Sequence, residues 1–345
     1  VTNRIIAGDV AEIARRPLPW EQLKGNHVLV TGASGMLPSY VVHTLLELND
    51  AQHAGITVHA LVRNQEKARN MLGEVLDRDD VDLIVQDVAD PISIDGELDL
   101  IVHGASAARP SLHAKDPVGT MRANLLGTMN LLELAVEHRS RFALMSSAEV
   151  YGSQPEDGGL IDEQSYGGLD ILNPRACYSE GKRAAETLCT VYGAQYGVGT
   201  CIGRFGHIYG PGMALDDGRV QADFTSKVLA GEDIVLNSDG RATRTYTYVA
   251  DAVAGLFYAL LTGQEPVYNI ADPAGLVSIR ELAELFVGVD PDAGLKVQVK
   301  VEDTQGRYAA AKAQGLDSSR LQGLGWEPAV DLARGLARTV DSHRV

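Results

Sequence analysis

The sequence predicts an α/β fold, a doubly wound parallel sheet with a smaller C-terminal lobe, and three observations carry the prediction. The run His27-Val28-Leu29-Val30-Thr31 is short, rich in valine and followed at once by glycines, as in a strand buried on both faces. From there to residue 146, strand-like and helix-like segments alternate, which argues parallel strands with helices on both sides. After Gly210-Pro211-Gly212 the alternation loosens into short pieces separated by Gly and Asp, marking a change of architecture.

In chain order, residues 5–23, with Ile13, Leu18 and Trp20, read as an apolar-dotted extension that packs on the main body or helps a dimer form. Strands are expected at 27–31, 56–62, 81–85, 98–103 and 142–146, and helices at 36–47, 65–76 and 118–138. Asn173 opens a helix through residue 196 with Pro174 in its first turn, where the missing N–H costs little. A strand at 198–202 and a helix at 251–261 follow. The domain expectation is an extension at 1–24, a dinucleotide-binding domain at 25–204 and a substrate lobe over 205–345, with 246–262 returning to the first domain.

The 345 residues suit one large α/β unit plus a lobe. Hydrophobic residues make up 45% and charged residues 22%, ordinary globular values that exclude a disordered chain. A formal net charge of -16 repels nucleic acid backbones and anionic lipid, so neither is an expected partner. A nucleotide ligand remains compatible, since a few local donors hold its phosphates. Cys177, Cys189 and Cys201 are odd in number and lack metal-ligand spacing, which fits a reducing cytoplasm and no metal site. No apolar run approaches a membrane span, and the N-terminus lacks a signal-peptide pattern.

Thr31-Gly32-Ala33-Ser34-Gly35-Met36-Leu37-Pro38 follows the first strand directly. Glycines here permit a tight turn and let the N–H groups around Gly32, Ser34, Gly35, Met36 and Leu37 approach a pyrophosphate at a helix N-terminus. Proline at position 38 stands where the fingerprint normally has its third glycine; it removes a donor and thickens the helix–strand contact. An NAD-selective site ends its second strand with a carboxylate, whereas here that end reads Leu61-Val62-Arg63-Asn64. Arg63 faces a 2′-phosphate in this reading, with Lys67 in support, so NADP is favoured over NAD. Asp87-Val88 is placed to meet the adenine, and Gly104-Ala105-Ser106 lies over the cofactor.

Tyr178 and Lys182 are four residues apart and share one helical face. A lysine ammonium beside a phenol favours the phenolate, which lets the tyrosine take a proton from a sugar hydroxyl. Ser147, at the end of the fifth strand, is placed to hydrogen-bond that hydroxyl.

These residues carry a resemblance. The glycine turn at 31–35, Ser147 with Glu149-Val150-Tyr151-Gly152, Tyr178 with Lys182, Arg204 leading to Tyr209-Gly210-Pro211-Gly212, and Arg244 leading to Tyr248-Val249-Ala250-Asp251 resemble the extended short-chain dehydrogenase/reductases, the NAD-dependent epimerase/dehydratases of nucleotide sugars. The segments 173–178 and 182–189 look most like the UDP-glucuronate decarboxylase branch.

The resemblance implies a Rossmann domain and a homodimer built on the helices at 118–138 and 173–196. It also implies transient oxidation at C4 of a UDP- or dTDP-sugar. Ala148-Glu149 stands where the family's 4,6-dehydratases carry an Asp-Glu pair, so dehydration lacks its acid. Glu149 suits a decarboxylase, or a base in an epimerase. Ala148 replaces a hydroxyl residue usual in the decarboxylases and matches the simple 4-epimerases.

Arg109 and His113 face the expected sugar pocket, where either suits a hexuronate carboxylate; exposed loop residues are the plain alternative. His207 stands near the sugar or diphosphate, and Arg244 resembles the family arginine that pairs with the diphosphate. Arg219 and Asp223 line the same side. The leading reading is a 4-epimerase or hexuronate decarboxylase that recycles its cofactor. The alternatives are an NADPH-dependent 4-ketoreductase and, in another class, a non-catalytic cofactor sensor.

Overall fold

The computed structural model describes residues 3–107, 109–153, 159–300 and 315–344. Its strands are β1 His27–Thr31, β2 Thr57–Val62, β3 Val81–Val85, β4 Leu100–His103, β5 Arg141–Ser147, β6 Thr200–Phe205, β7 His207–Tyr209, β8 Ile234–Leu236, β9 Thr243–Tyr248, β10 Val267–Ile270, β11 Leu276–Ser278 and β12 Val297–Val299. The helices are α1 Arg4–Ala14, α2 Met36–Gln52, α3 Gln65–Leu72, α4 Pro110–Lys115, α5 Pro117–His138, α6 Ala176–Tyr196, α7 Val220–Ala230, α8 Val249–Thr262, α9 Ile279–Val287, α10 Ser319–Gln322 and α11 Leu332–Ser342.

Seven strands form one sheet in the order β10-β6-β5-β4-β1-β2-β3, every pair parallel. The expected doubly wound α/β fold is present. The order reverses at β1, so the C-terminal ends of β1 and β4 part around a crevice, the place where open parallel sheets bind ligands. The four residues of β4 are buried, as is β1 from Val28 onward, because helices cover both faces. The smaller lobe holds a three-stranded sheet, β11-β9-β7, and a β12-β8 pair.

Several boundaries differ from the sequence reading. The helix expected from Asn173 begins at Ala176, since the Asn173 Oδ1 accepts the Arg175 N–H at 3.0 Å in a turn that competes with helix. The helix after β2 stops at Leu72, where Gly73 turns with φ +61°, and continues as a 3-10 turn to Asp77. Past residue 47, α2 runs on to Gln52 and ends on His53 at φ +53°. β6 starts two residues later than expected and extends to Phe205.

The N-terminal segment is part of the core. Val10, Ile13, Ala14, Leu18, Trp20 and Leu23 are all buried with the residues of α2 and α8; burying Ile13 alone is worth about 1.5–3 kcal/mol. Asp9 accepts hydrogen bonds from the hydroxyls of Tyr40 (2.9 Å) and Tyr248 (2.6 Å) and pairs with Arg338 at 2.6 Å. One carboxylate thereby ties α1 to α2, β9 and α11. Packing of α8 against α2, β6 and β10 brings the end of β9 beside the main sheet.

Candidate active site

A cavity of about 720 Å³ runs along the C-terminal edge of the sheet, from Gly32 and Gly35 past Ser147 and Tyr178 to His207 and Arg219. Its volume is ordinary for a small-molecule site.

At one end, Gly32 turns with φ +68°, and a Cβ on it would stand 2.8 Å from the Ala105 Cα. Only glycine allows these two turns to approach so closely. Thr31 holds the neighbouring turn: its hydroxyl lies 2.8 Å from His103 Nδ1 and accepts the Ala105 N–H at 3.2 Å. Gly35 caps α2 without any side-chain hydrogen bond, leaving the N–H groups of Met36 and Leu37 to face the cavity with Ser34. A tight backbone cradle on an uncapped helix N-terminus fits a dinucleotide pyrophosphate. Pro38 is buried over Gly104, whose missing side chain makes room for the ring.

Along the same wall, Arg63 lies 3.7 Å from Asp87, and the two line the cavity with Asn64, Lys67 and Val88. The Asn64 side chain caps α3 by accepting the Lys67 N–H at 2.8 Å. Ser106 donates to Asn124 Oδ1 at 3.1 Å, and Asn124 packs against Gly181 of α6. Asn124 went unnoticed in the sequence, although an asparagine inside an otherwise apolar helical pattern was the available signal. Arg175 and Asp170 also line the cavity; no spacing rule pointed to either.

β5 delivers Ser147 to the cavity floor, and α6 carries Tyr178 and Lys182 on one face. The Ser147 oxygen accepts the Glu149 N–H at 3.2 Å and shares the cavity with the Tyr178 phenol. Lys182 is 2% exposed and donates to the Met145 carbonyl at 2.7 Å; burial lowers its pKa to about 8, opposed by Glu186.

One electrostatic expectation needs correction. Burial raises the Tyr178 pKa; the nearby Ser147 hydroxyl and Arg219 pull it back, and Glu149 adds to the rise. Lys182, turned toward Met145, is not among the groups that lower it.

Glu149 is exposed to the cavity and accepts from the Ser179 hydroxyl at 3.4 Å. Arg219 is held by Asp217 through two contacts, Nε to Oδ1 at 2.5 Å and Nη2 to Oδ2 at 2.7 Å. His207 is kept neutral by burial, which lowers its pKa to about 3 with help from Arg244 and Arg219.

Arg109 pairs with Asp216 at 3.0 Å, and the His113 ring stacks on Tyr178. Arg244 donates to the Thr243 carbonyl at 2.7 Å and, like Arg109 and the exposed Asp223 of α7, is not among the residues lining the cavity, so of the pair expected to face the sugar only His113 does. Among the described residues, no group of three or more His, Cys, Asp or Glu could hold a metal ion.

Behind the site, Arg204 and Glu186 pair at 2.6 Å, both largely buried. Ser146 donates to Glu186 at 2.5 Å, and Tyr151 bonds both Arg204 and Asn269. These residues brace β5, β6 and α6; Ser146 also lines the cavity, whereas Arg204, Glu186, Tyr151 and Asn269 do not.

A model of the NAD dependent epimerase/dehydratase family matches residues 28–271. The chain belongs to that family. Members similar to it include UDP-glucuronic acid decarboxylase 6 of Arabidopsis thaliana, 33% identical over 324 residues that cover 92% of this chain and 89% of the relative. UDP-glucuronic acid decarboxylase 1 of Xenopus tropicalis is 31% identical over 319 residues, 92% of this chain and 72% of that one. Among solved structures, DesIV of Streptomyces venezuelae, a dTDP-glucose 4,6-dehydratase with NAD and TYD bound, superimposes with a TM-score of 0.76 at 26% identity, covering 92% of this chain and 97% of its own. The chain is thus an NAD-dependent nucleotide-sugar enzyme of the extended short-chain dehydrogenase type.

Proposed function

We propose that this enzyme oxidises C4 of a UDP- or dTDP-sugar transiently and then epimerises that carbon or decarboxylates a hexuronate. The observation that carries the reading is that Ser147, Tyr178 and Lys182 line the same cavity as the glycine cradle of Gly32 and Gly35.

A nicotinamide dinucleotide held on Gly32, Gly35 and the α2 N-terminus supplies the acceptor, and later the donor, of the C4 hydride. Tyr178 takes the C4 hydroxyl proton, and Ser147 orients that hydroxyl. Lys182 brings a buried positive charge to the same cavity wall, its ammonium donating to the Met145 carbonyl. Arg219, anchored by Asp217, is the cation of the lobe whose charge reaches Tyr178, and it suits a C6 carboxylate or a phosphate.

With a carboxylate at C6, a C4 ketone is a β-keto acid. The C5–C6 bond breaks, CO2 leaves, its electron pair moves onto the C4 oxygen, and a proton returns to C5. Ala148 leaves space for a sugar to turn over, which supports epimerisation. Glu149 then serves as a base or as a contact to the sugar.

A second reading, an NADPH-dependent 4-ketoreductase, draws on Arg63 and Lys67, two cations where a 2′-phosphate would lie. NADP is accordingly the cofactor we favour over NAD. Residues 25–204 with 246–262 hold the cofactor in this reading, and the rest of 205–345 binds the nucleotide sugar, with Arg244 near its diphosphate.

A homodimer through α5 and α6 is supported by Val118, Leu126, Met129 and Val191, apolar and exposed on these helices. The free thiols Cys177, Cys189 and Cys201 suit a reducing cytoplasm. Among the described residues, no helix is long and apolar enough to cross a membrane.

The test is to incubate the protein with UDP-glucuronate, UDP-glucose, dTDP-glucose and its 4-keto-6-deoxy derivative, with each cofactor, and to weigh the products. Loss of CO2 or unchanged mass with inverted C4 supports the proposal. Gain of two hydrogens supports the reductase, and loss of water contradicts both.

A further inference from the structure

The His113 ring of α4 lies face to face with the Tyr178 phenol, centroids 4.5 Å apart and planes 13° from parallel. Its Nε2 bonds to the Ala107 carbonyl. A carbonyl oxygen only accepts, so Nε2 carries the proton, and in the neutral ring Nδ1 holds the lone pair. Burial disfavours the imidazolium, as do Arg175 and Arg219, while Glu149 favours it and the Ala107 bond does the same. A neutral ring of fixed tautomer is a poor hook for a carboxylate; it serves better as a flat surface.

Tyr178 needs such a surface. Rotation about the bond joining a phenol ring to its Cβ has broad minima; it leaves the oxygen, which lies on the rotation axis, in place but turns the directions in which that oxygen makes hydrogen bonds. The segment carrying His113 is itself held on two sides. Arg109 pairs with Asp216 at 3.0 Å, and the His113 carbonyl lies 4.0 Å from the Cys177 Sγ, next to Tyr178 in sequence.

We propose that His113 is a positioning residue, which by stacking sets the plane of the Tyr178 ring and with it the in-plane direction from which the phenol oxygen meets the reacting sugar hydroxyl. The proposal rests on the reading of Tyr178 as the proton acceptor. It separates His113 from the sugar-binding residues and assigns it to the base instead.

The test compares His113→Ala with His113→Phe, which keeps a flat ring. Tyrosine-labelled protein gives ring-proton NMR signals for Tyr178, identified by their loss in Tyr178→Phe. A stacked aromatic ring displaces them, so they should move toward ordinary values in His113→Ala and remain displaced in His113→Phe.

With UDP-glucuronate as substrate, His113→Ala should lose roughly 10- to 100-fold in kcat, the scale of a small misplacement of a catalytic group, with KM within about twofold. His113→Phe should retain most of kcat. If both variants instead raise KM equally and leave the Tyr178 signals in place, His113 contacts the sugar and the inference falls. It falls as well if His113→Ala loses only thermal stability. A wild-type protein that oxidises no nucleotide sugar overturns the reading of Tyr178 itself, a different result from an active enzyme indifferent to His113.

Discussion

Pro38 and Gly104 are fitted to each other: a Cβ on Gly104 would stand 2.5 Å from the Pro38 Cγ and 2.9 Å from the Met145 Sδ. The ring that replaces the third glycine of the fingerprint is accommodated because the strand end opposite has no side chain. Gly104→Ala should therefore destabilise the protein by about 1–3 kcal/mol, the usual cost of overpacking. Adding Pro38→Gly should recover part of that loss. Urea unfolding of the single and double variants measures the coupling.

Lys182 predicts opposite pH trends for activity and stability. Its folded pKa of about 8 lies below the unfolded value of about 10.4, so the folded state penalises the ammonium. That penalty is complete below pH 8 and is relieved as pH rises through the window between the two values, where the unfolded chain binds more protons. This contribution to stability grows from pH 8 upward. Activity that needs the ammonium falls over the same range, and kcat/KM should show an alkaline limb with its midpoint near pH 8. A pH profile of kcat/KM, with thermal unfolding across the same range, checks both signs.

Glu186→Leu leaves the Arg204 guanidinium buried without its carboxylate and should cost about 3–5 kcal/mol. Glycine-cradle binding of the dinucleotide should be kept under conditions where the variant remains folded. Denaturant midpoints and cofactor titration measure the two effects separately.

Arg63→Ala should weaken NADP by about tenfold, the scale of one hydrogen bond to a charged group, and leave NAD within about twofold. Direct titration of both dinucleotides decides it. A wild type that prefers NAD and a variant indifferent to the 2′-phosphate would turn the cofactor assignment around.

The parallel sheet was legible because each strand is a short apolar run bounded by its own turn, and periodicity within a few residues suffices to find it. Gly32, Tyr178 and Lys182 were legible for the same reason, since their spacing has geometric content in a turn or a helix. Other features depend on segments far apart in the chain. Asp9 meets Tyr248 and Arg338 across more than two hundred residues, and Arg109 pairs with Asp216 at a separation of 107 residues. No local pattern announces such pairs. The Tyr178 pKa was misjudged because the i, i+4 spacing gives proximity but not the direction of the Lys182 ammonium, which the Met145 carbonyl draws away.

The central claim is that Tyr178 removes the C4 proton while the C4 hydride departs and, in a recycling enzyme, returns. Nucleotide sugar deuterated at C4 tests it most directly, with UDP-glucuronate as the first substrate. Wild-type protein should show a slowed first turnover against unlabelled sugar and, while its cofactor is bound, carry the deuterium into the product at C4. Tyr178→Phe, folded to the same thermal midpoint, should lose about 10²- to 10⁴-fold in that turnover. Product formed with no isotope effect, and at an equal rate in Tyr178→Phe, would contradict the account.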